Sequence, residues 1–176
     1  MENFNPNAQD MERIVNIPDN TPSGAIERWE KAIAEMTSGY EDSAGLDVVF
    51  QRSHNDMVIS SGIAFSSICE HHLFPFFGTA DVAYVPNGRI VGLSKLARTV
   101  DVFSRRFQTQ EKLADQIARH IRCILKPKGV AVLLTAKHTC QQCRGIKSQA
   151  EMKTPVFLDC FTKKRLRKEF LGLVKT

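Results

Sequence analysis

The chain has 176 residues, of which 43% are hydrophobic and 24% charged, with a net charge of +5. This is enough apolar material for one ordinary core, and no run of about 18 apolar residues exists to cross a membrane. No apolar leader segment opens the chain, and five cysteines (69, 123, 140, 143 and 160) make an odd count, which argues for reduced thiols or metal ligands in a cytoplasmic protein over a disulfide framework.

Residues 1–20, rich in Asn, Asp and Pro, read as a flexible or partner-docked arm, and residues 21–176 as the one folded domain. A helix is predicted from Ser23, with Ile26, Trp29, Ile33 and Met36 as its apolar stripe and Gly39 as its stop. Arg28 and Lys31 lie nearly opposite that stripe, on what pattern alone makes a solvated basic face. Strands follow at Asp47–Gln51, Met57–Phe65 and Thr79–Val85. The turn "VPNGRI" predicts a hairpin, with Asn87 and Gly88 at positive φ and Ile90–Gly92 as the return. Leu93, Leu96, Ala97, Val100, Phe103 and Phe107 then mark a helix capped by Ser94. A second helix spans Gln110–Leu125 and ends before Pro127. Gly129–Lys137 and Thr154–Phe161 read as antiparallel strands. A last helix over 162–174 is predicted to bury Leu166, Phe170 and Leu173. Strands grouped around a helix pair argue an α+β fold, with helices on one face of an antiparallel sheet of about four strands. The open edges of such a sheet call for cover or for a second copy.

Cysteine and histidine concentrate at Cys69-Glu70-His71-His72 and at His138-Thr139-Cys140-Gln141-Gln142-Cys143. Two zinc readings fit. Cys69, His72, Cys140 and Cys143 would close a structural tetrahedral site, which spacing alone favours; Cys69, His72 and Cys140 would leave a fourth position open to water. Only the open site has a use for the spare histidines His71 and His138, which suit acid/base chemistry near neutral pH. Ser94 and Lys95 open a helix, where free N–H groups and the dipole favour phosphate, and Arg98 is one turn on. Arg144 follows the second cluster. Gln110 and Glu111 begin the next helix, where a carboxylate has a use in accepting from the ring N–H and amine of guanine, as well as the ordinary one of a negative charge in a first turn.

The ordered combination "SICEHHLFPFFG", "YVPNGRIVGLSKLARTVDVFSRRFQTQEKLADQIA" and "HTCQQCRG" resembles GTP cyclohydrolase I, from about residue 22 to the C-terminus. The resemblance implies the tunnelling fold: an antiparallel sheet with two helices packed on one face, assembling into an oligomeric barrel, commonly a decamer with sites at subunit interfaces. It implies Zn2+ on Cys69, His72 and Cys140, acid/base roles for His71 and His138, and guanine held by Gln110 and Glu111. Triphosphate would be held by Ser94, Lys95, Arg98 and Arg144, with Arg28 and Lys31 serving a neighbouring subunit. The implied reaction opens the imidazole ring of GTP, releases formate and forms 7,8-dihydroneopterin triphosphate. A dGTP preference, or a product bound for deazapurine synthesis, is the alternative within the family. Where the family has apolar or small residues before Arg144, this chain has Gln141, Gln142 and Cys143. A rival of another class is a nucleic-acid-binding module with the closed Cys/His/Cys/Cys site and the basic stretch "KKRLRK" at 163–168. A solvated helix face accounts for that stretch better.

Overall fold

The computed structural model describes residues 21–42, 49–51 and 54–174. The arm expected over 1–20, and the first two residues of the strand expected over 47–51, lie outside them. Two compact units are distinguished, Met1–Glu35 and Met36–Thr176. Helix α1 (Ala25–Met36) has no buried residue. Of its predicted stripe, Ile26, Ile33 and Met36 are half-buried and Trp29 is 37% exposed. Arg28 and Lys31 are exposed, and the Arg28 guanidinium donates to the Ser23 carbonyl at 3.3 Å. Among the described residues, no helix is long and apolar enough to cross a membrane.

The second unit runs β1 (Val49–Gln51), β2 (Val58–Cys69), β3 (Pro75–Val85), β4 (Arg89–Val91), α2 (Leu93–Ser104), β5 (Phe107–Gln108), α3 (Gln110–Leu125), β6 (Gly129–His138), α4 (Thr139–Gln142), β7 (Met152–Asp159) and α5 (Lys164–Leu173). The main sheet has five strands in the order β5-β2-β3-β6-β7. All its pairings are antiparallel except β5 with β2, so the sheet is mixed and one strand larger than predicted. The helix pair α2 and α3 covers one face, as expected of the α+β arrangement. Leu113, Ile117, Ile121 and Leu125 of α3 are fully or almost fully buried against Phe76, Val82, Tyr84, Val130 and Val132. Alternation sends Ala83, Val85 and Ala131 to the opposite face, where Phe161 and the Phe170 of α5 cover them.

Several local expectations change. Strands β2 and β3 run on to Cys69 and back to Pro75, so most of "SICEHHLFPFFG" is strand around a tight turn. The predicted hairpin after Val85 does not form: β4 pairs with β1, Val91 opposite Val49, and only Gly88 takes positive φ. A strand that short follows whichever edge tertiary packing offers it. Ser94 is not the cap of α2. Gly92, extended at φ −61° and ψ 143°, precedes the helix, and its carbonyl already accepts from Lys95 N at 2.9 Å. Gly39 does not stop α1 either. It sits buried in a 3-10 turn (Ser38–Tyr40), where a Cβ would lie 2.1 Å from the Val102 carbonyl oxygen. Leu173, expected to be buried, is 63% exposed at the last position of α5.

Gly78 marks the closest approach of β3 to β6, where a Cβ would fall 1.9 Å from the Thr135 carbonyl oxygen. Gly78→Ala is expected to lower stability by roughly 2–3 kcal/mol, since backbone atoms must separate. A urea midpoint equal to the parent's would refute this.

Candidate active site and metal centre

The site forms at one end of the main sheet. Strand β2 delivers Cys69, and the chain turns through 70–74 before β3 begins. Cys69 N donates to the Phe74 carbonyl at 2.9 Å, and Leu73 N to the Cys69 carbonyl at 2.8 Å. Leu73 sits at φ 56°, a left-handed conformation uncommon for a leucine. This turn carries His71 and His72. It is tied laterally, because Glu70 N donates to the Gln108 carbonyl at 3.0 Å and Lys112 Nζ reaches Glu70 Oε2 at 2.9 Å.

Strand β5 pairs Phe107 with Ile68 and Gln108 with Cys69, so the chain enters α3 beside the turn. Thr109 is the N-cap, its hydroxyl accepting from Lys112 N at 3.1 Å. Gln110 and Glu111 follow, the first 2% exposed and the second open to solvent. The β3–β6 ladder pairs Phe76 with His138, which brings the second cluster to the same end. Thr139 Oγ1 donates to the Pro75 carbonyl at 2.6 Å and secures that join.

Cys69, His71, His72, Thr109, Gln110, Glu111, His138, Cys140, Gln141 and Met152 line an open cleft of about 280 Å³. Within it the ligand atoms of Cys69, His72 and Cys140 lie within 4.8 Å of one another, with Cys69 Sγ 3.7 Å from His72 Nδ1. A tetrahedral zinc with bonds of about 2.0–2.3 Å holds its ligands about 3.3–3.8 Å apart, so a closure of about 1 Å suffices. Two thiols and an imidazole are the donors zinc prefers over the hard cations. The residues fit the ion. Cys143 is exposed and outside this group, which weighs against the closed four-ligand site that spacing alone favours.

Burial first, and then the adjacent Cys69 thiol, push the Cys140 thiol up; the charge of Arg144 opposes them. Two thiolates this close require a cation between them. His138 is held below the usual histidine range by burial, against the pull of Glu111. Its ring stacks on Phe76 with centroids 4.6 Å apart and planes 5° from parallel, and its Nε2 lies 2.8 Å from Gln110 Oε1. Gln110 Nε2 donates to the carbonyls of Leu134 (3.1 Å) and Met152 (2.9 Å). Both its N–H bonds are thus taken within the chain. Neither Phe76 nor the carbonyl partners of Gln110 were legible as site residues. A phenylalanine in an apolar run gives no sign that it will stack on a histidine 62 positions later.

Of the expected anion holders, Ser94, Lys95 and Arg98 are not among the residues that line this cleft. Tyr84 pairs with Val58 at the end of β2–β3 away from Cys69, and Val91 N donates to the Tyr84 hydroxyl at 3.1 Å. Helix α2 starts two residues later, so Ser94 and Lys95 stand at the far end of the sheet, with Arg98 one turn along. The 12-residue α2 spans about 18 Å before the chain returns toward β5. Arg144 is close enough to Cys140 to act on its charge. Arg28 and Lys31 belong to α1, in the first unit.

The family description GTP cyclohydrolase I matches residues 16–175. The chain is 47% identical over 153 residues to GTP cyclohydrolase 1 of Coxiella burnetii, covering 84% of this chain and 83% of the relative. It is 39% identical to that of Campylobacter concisus over 99% of this chain and 96% of the relative. It is 44% identical to that of Bacteroides fragilis over 85% and 79%. Among solved structures, an archaeosine synthase QueF-Like in the apo form aligns with TM-score 0.47 and 18% identity, over 60% of this chain and 95% of that one. That likeness is too slight to carry an argument.

Burial and the adjacent Cys69 raise the Cys140 thiol, so in the metal-free chain Cys140 holds its proton at neutral pH. Zinc takes cysteine as the thiolate, so its binding must displace that proton and affinity should fall as pH falls. Titration of metal-free protein with zinc at pH 7 is expected to release at least one proton per chain. Cys140→Ser should abolish the uptake and Cys143→Ala should leave it intact. Loss of zinc in Cys143→Ala would restore the closed site.

Proposed function

The chain belongs to the GTP cyclohydrolase I family and is an enzyme of that activity, and we propose that the cleft around Cys69, His72 and Cys140 is where it opens the imidazole ring of GTP. One observation carries this reading: three zinc-type ligands converge while two further histidines, His71 and His138, line the same cleft. A closed structural site has no use for them. When bound, zinc supplies a Lewis acid that makes water nucleophilic near neutral pH.

The chain's own residues do the rest. His138 hands a proton to the imidazole nitrogen of guanine, which makes carbon 8 electrophilic. His71, on the turn after Cys69, takes and returns protons as the carbon 8–nitrogen bond breaks and formate leaves. Two waters are consumed at carbon 8. One returns when the rearranged ribose carbonyl condenses with the freed amine, so GTP and one water give formate and 7,8-dihydroneopterin triphosphate. Glu111, exposed at the start of α3, accepts from the ring N–H and amine of the base. At about 280 Å³ the cleft is below the ~300–1,000 Å³ common for drug-sized ligands, which suits a base whose triphosphate extends outside.

Triphosphate then needs cations from elsewhere. The α2 start bearing Ser94, Lys95 and Arg98 lies at the sheet end remote from its own cleft, and Arg28 and Lys31 are exposed on α1. Both facts support a site completed by another copy of the chain, in an oligomeric barrel of the tunnelling type with Arg144 at the rim. Neighbouring copies would also cover the sheet edges left by β5 and β7.

Zinc-loaded protein is expected to release formate from GTP and to give a fluorescent pterin after oxidation, and a chelator should stop both. Absence of both products would refute the reading. His138→Ala should keep zinc and lose about 10²–10⁴-fold in turnover. The shared site has its own test, in which His138→Ala and Arg98→Ala chains, each impaired alone, are co-produced. Mixed oligomers should regain turnover, because one interface then pairs two intact halves. No recovery would mean that each chain builds its own site.

A further inference from the structure

We propose that Gln110 is a positioning residue that acts through His138, fixing its ring plane and presenting Nδ1, and not Nε2, to the substrate. The inference rests on the reading of His138 as the group that hands a proton to guanine. It departs from what the family resemblance implies, that the Gln110 side chain holds the base.

The geometry leaves the amide one orientation. The carbonyl oxygens of Leu134 and Met152, at 3.1 and 2.9 Å, can only accept, so the atom facing both is the amide nitrogen. The amide oxygen is therefore the atom 2.8 Å from the imidazole. An amide oxygen has no hydrogen to give, so the facing ring nitrogen, Nε2, must carry the proton in every state that keeps this bond. In the neutral ring Nδ1 is then unprotonated, and it is the nitrogen that accepts and passes on a proton. Phe76, fully buried and stacked 4.6 Å from the ring at 5°, holds the plane in which Nδ1 points.

The arrangement is rigid by construction. Gln110 is 2% exposed at the first position of α3. It is tied to Leu134 on the same strand as His138, and to Met152 on the next strand, which pairs with Ala136. The amide thus pins the start of α3 to the β6–β7 ladder and the imidazole to both. Burial of a polar group is costly unless every donor and acceptor is met, and here each is. A side chain committed in this way has no N–H to offer a purine.

Two experiments decide it. Neutron diffraction from crystals of the wild-type holoenzyme at neutral pD is expected to place a deuteron on Nε2 of His138, whether or not Nδ1 also carries one. A ring deuterated on Nδ1 alone would overturn the assignment, and this result does not depend on catalysis. In solution, Gln110→Met keeps the length of the side chain and removes its hydrogen bonds. With zinc content and oligomer size unchanged, kcat is expected to fall at least about tenfold while KM for GTP stays within about threefold. Any other pattern overturns the proposal, and a tenfold rise in KM with kcat retained would return Gln110 to the base. Should Gln110→Met fail to fold, the neutron result decides alone. Should the wild type release no formate from GTP, the reading of the cleft fails while the tautomer is still decided.

Discussion

Strand register is the constraint on which the site depends. Phe76 opposes His138 across β3 and β6, and Cys69 opposes Gln108 across β2 and β5. Side chains alternate between the two faces of a sheet with period two, so a slip of one residue in either ladder would turn a site residue to the wrong face. The β3–β6 register is held over ten pairs, from Phe76–His138 to Val85–Gly129, with Val82 and Val132 fully buried on the helix-covered face. The apolar core therefore does the aiming. Gly78 makes the same point from the other side, because the two backbones there are too close for any side chain.

The short β5 needs more support than two residue pairs can give, and it receives it from the 3-10 turn at Ser38–Tyr40. Arg105 and Arg106 reach back to that turn: Arg105 contacts Ser38 and Asp42, and Arg106 Nε donates to the Gly39 carbonyl at 3.0 Å. Tyr40 accepts from Phe107 N at 3.1 Å. The sequence "RRFQTQE" thus holds its two strand residues, Phe107 and Gln108, between one anchor behind and one helix cap ahead.

Much of this was legible in the sequence, and the rest was hidden for physical reasons. Long periodic elements such as α3, with Leu113, Ile117 and Ile121 at helical spacing, declare themselves because one face must be buried. The cysteine and histidine clusters marked out candidate ligands, though their spacing favoured a fourth, Cys143; the structure brings Cys69, His72 and Cys140 together from 71 positions apart and leaves Cys143 outside. What local pattern cannot express is a partner chosen by tertiary contact. The β4 strand leaves a good hairpin turn to pair with β1, and β5 is too short to show a period. The ends of β2 and β3 were obscured by the chemistry they carry, since polar ligands interrupt the alternation that marks a strand. The basic residues at the start of α2 were legible in the sequence, but not their place at the end of the sheet away from the cleft.

The dipeptide Gln110-Glu111 shows how one helical step divides labour. Successive residues of a helix are rotated by about 100°, so neighbours in sequence face different surroundings. At the first turn of α3 that rotation sends Gln110 into the space between α3 and the β6–β7 ladder and leaves Glu111 exposed at the cleft. An amide suits the first place because it meets two carbonyls and one imidazole N–H without any charge to desolvate. A carboxylate there would face two carbonyl oxygens and be repelled by both. It suits the second place because a solvated negative charge near a helix N-terminus is favourable. Exchanging the two residue types would therefore disable both positions, although composition and helix propensity would hardly change.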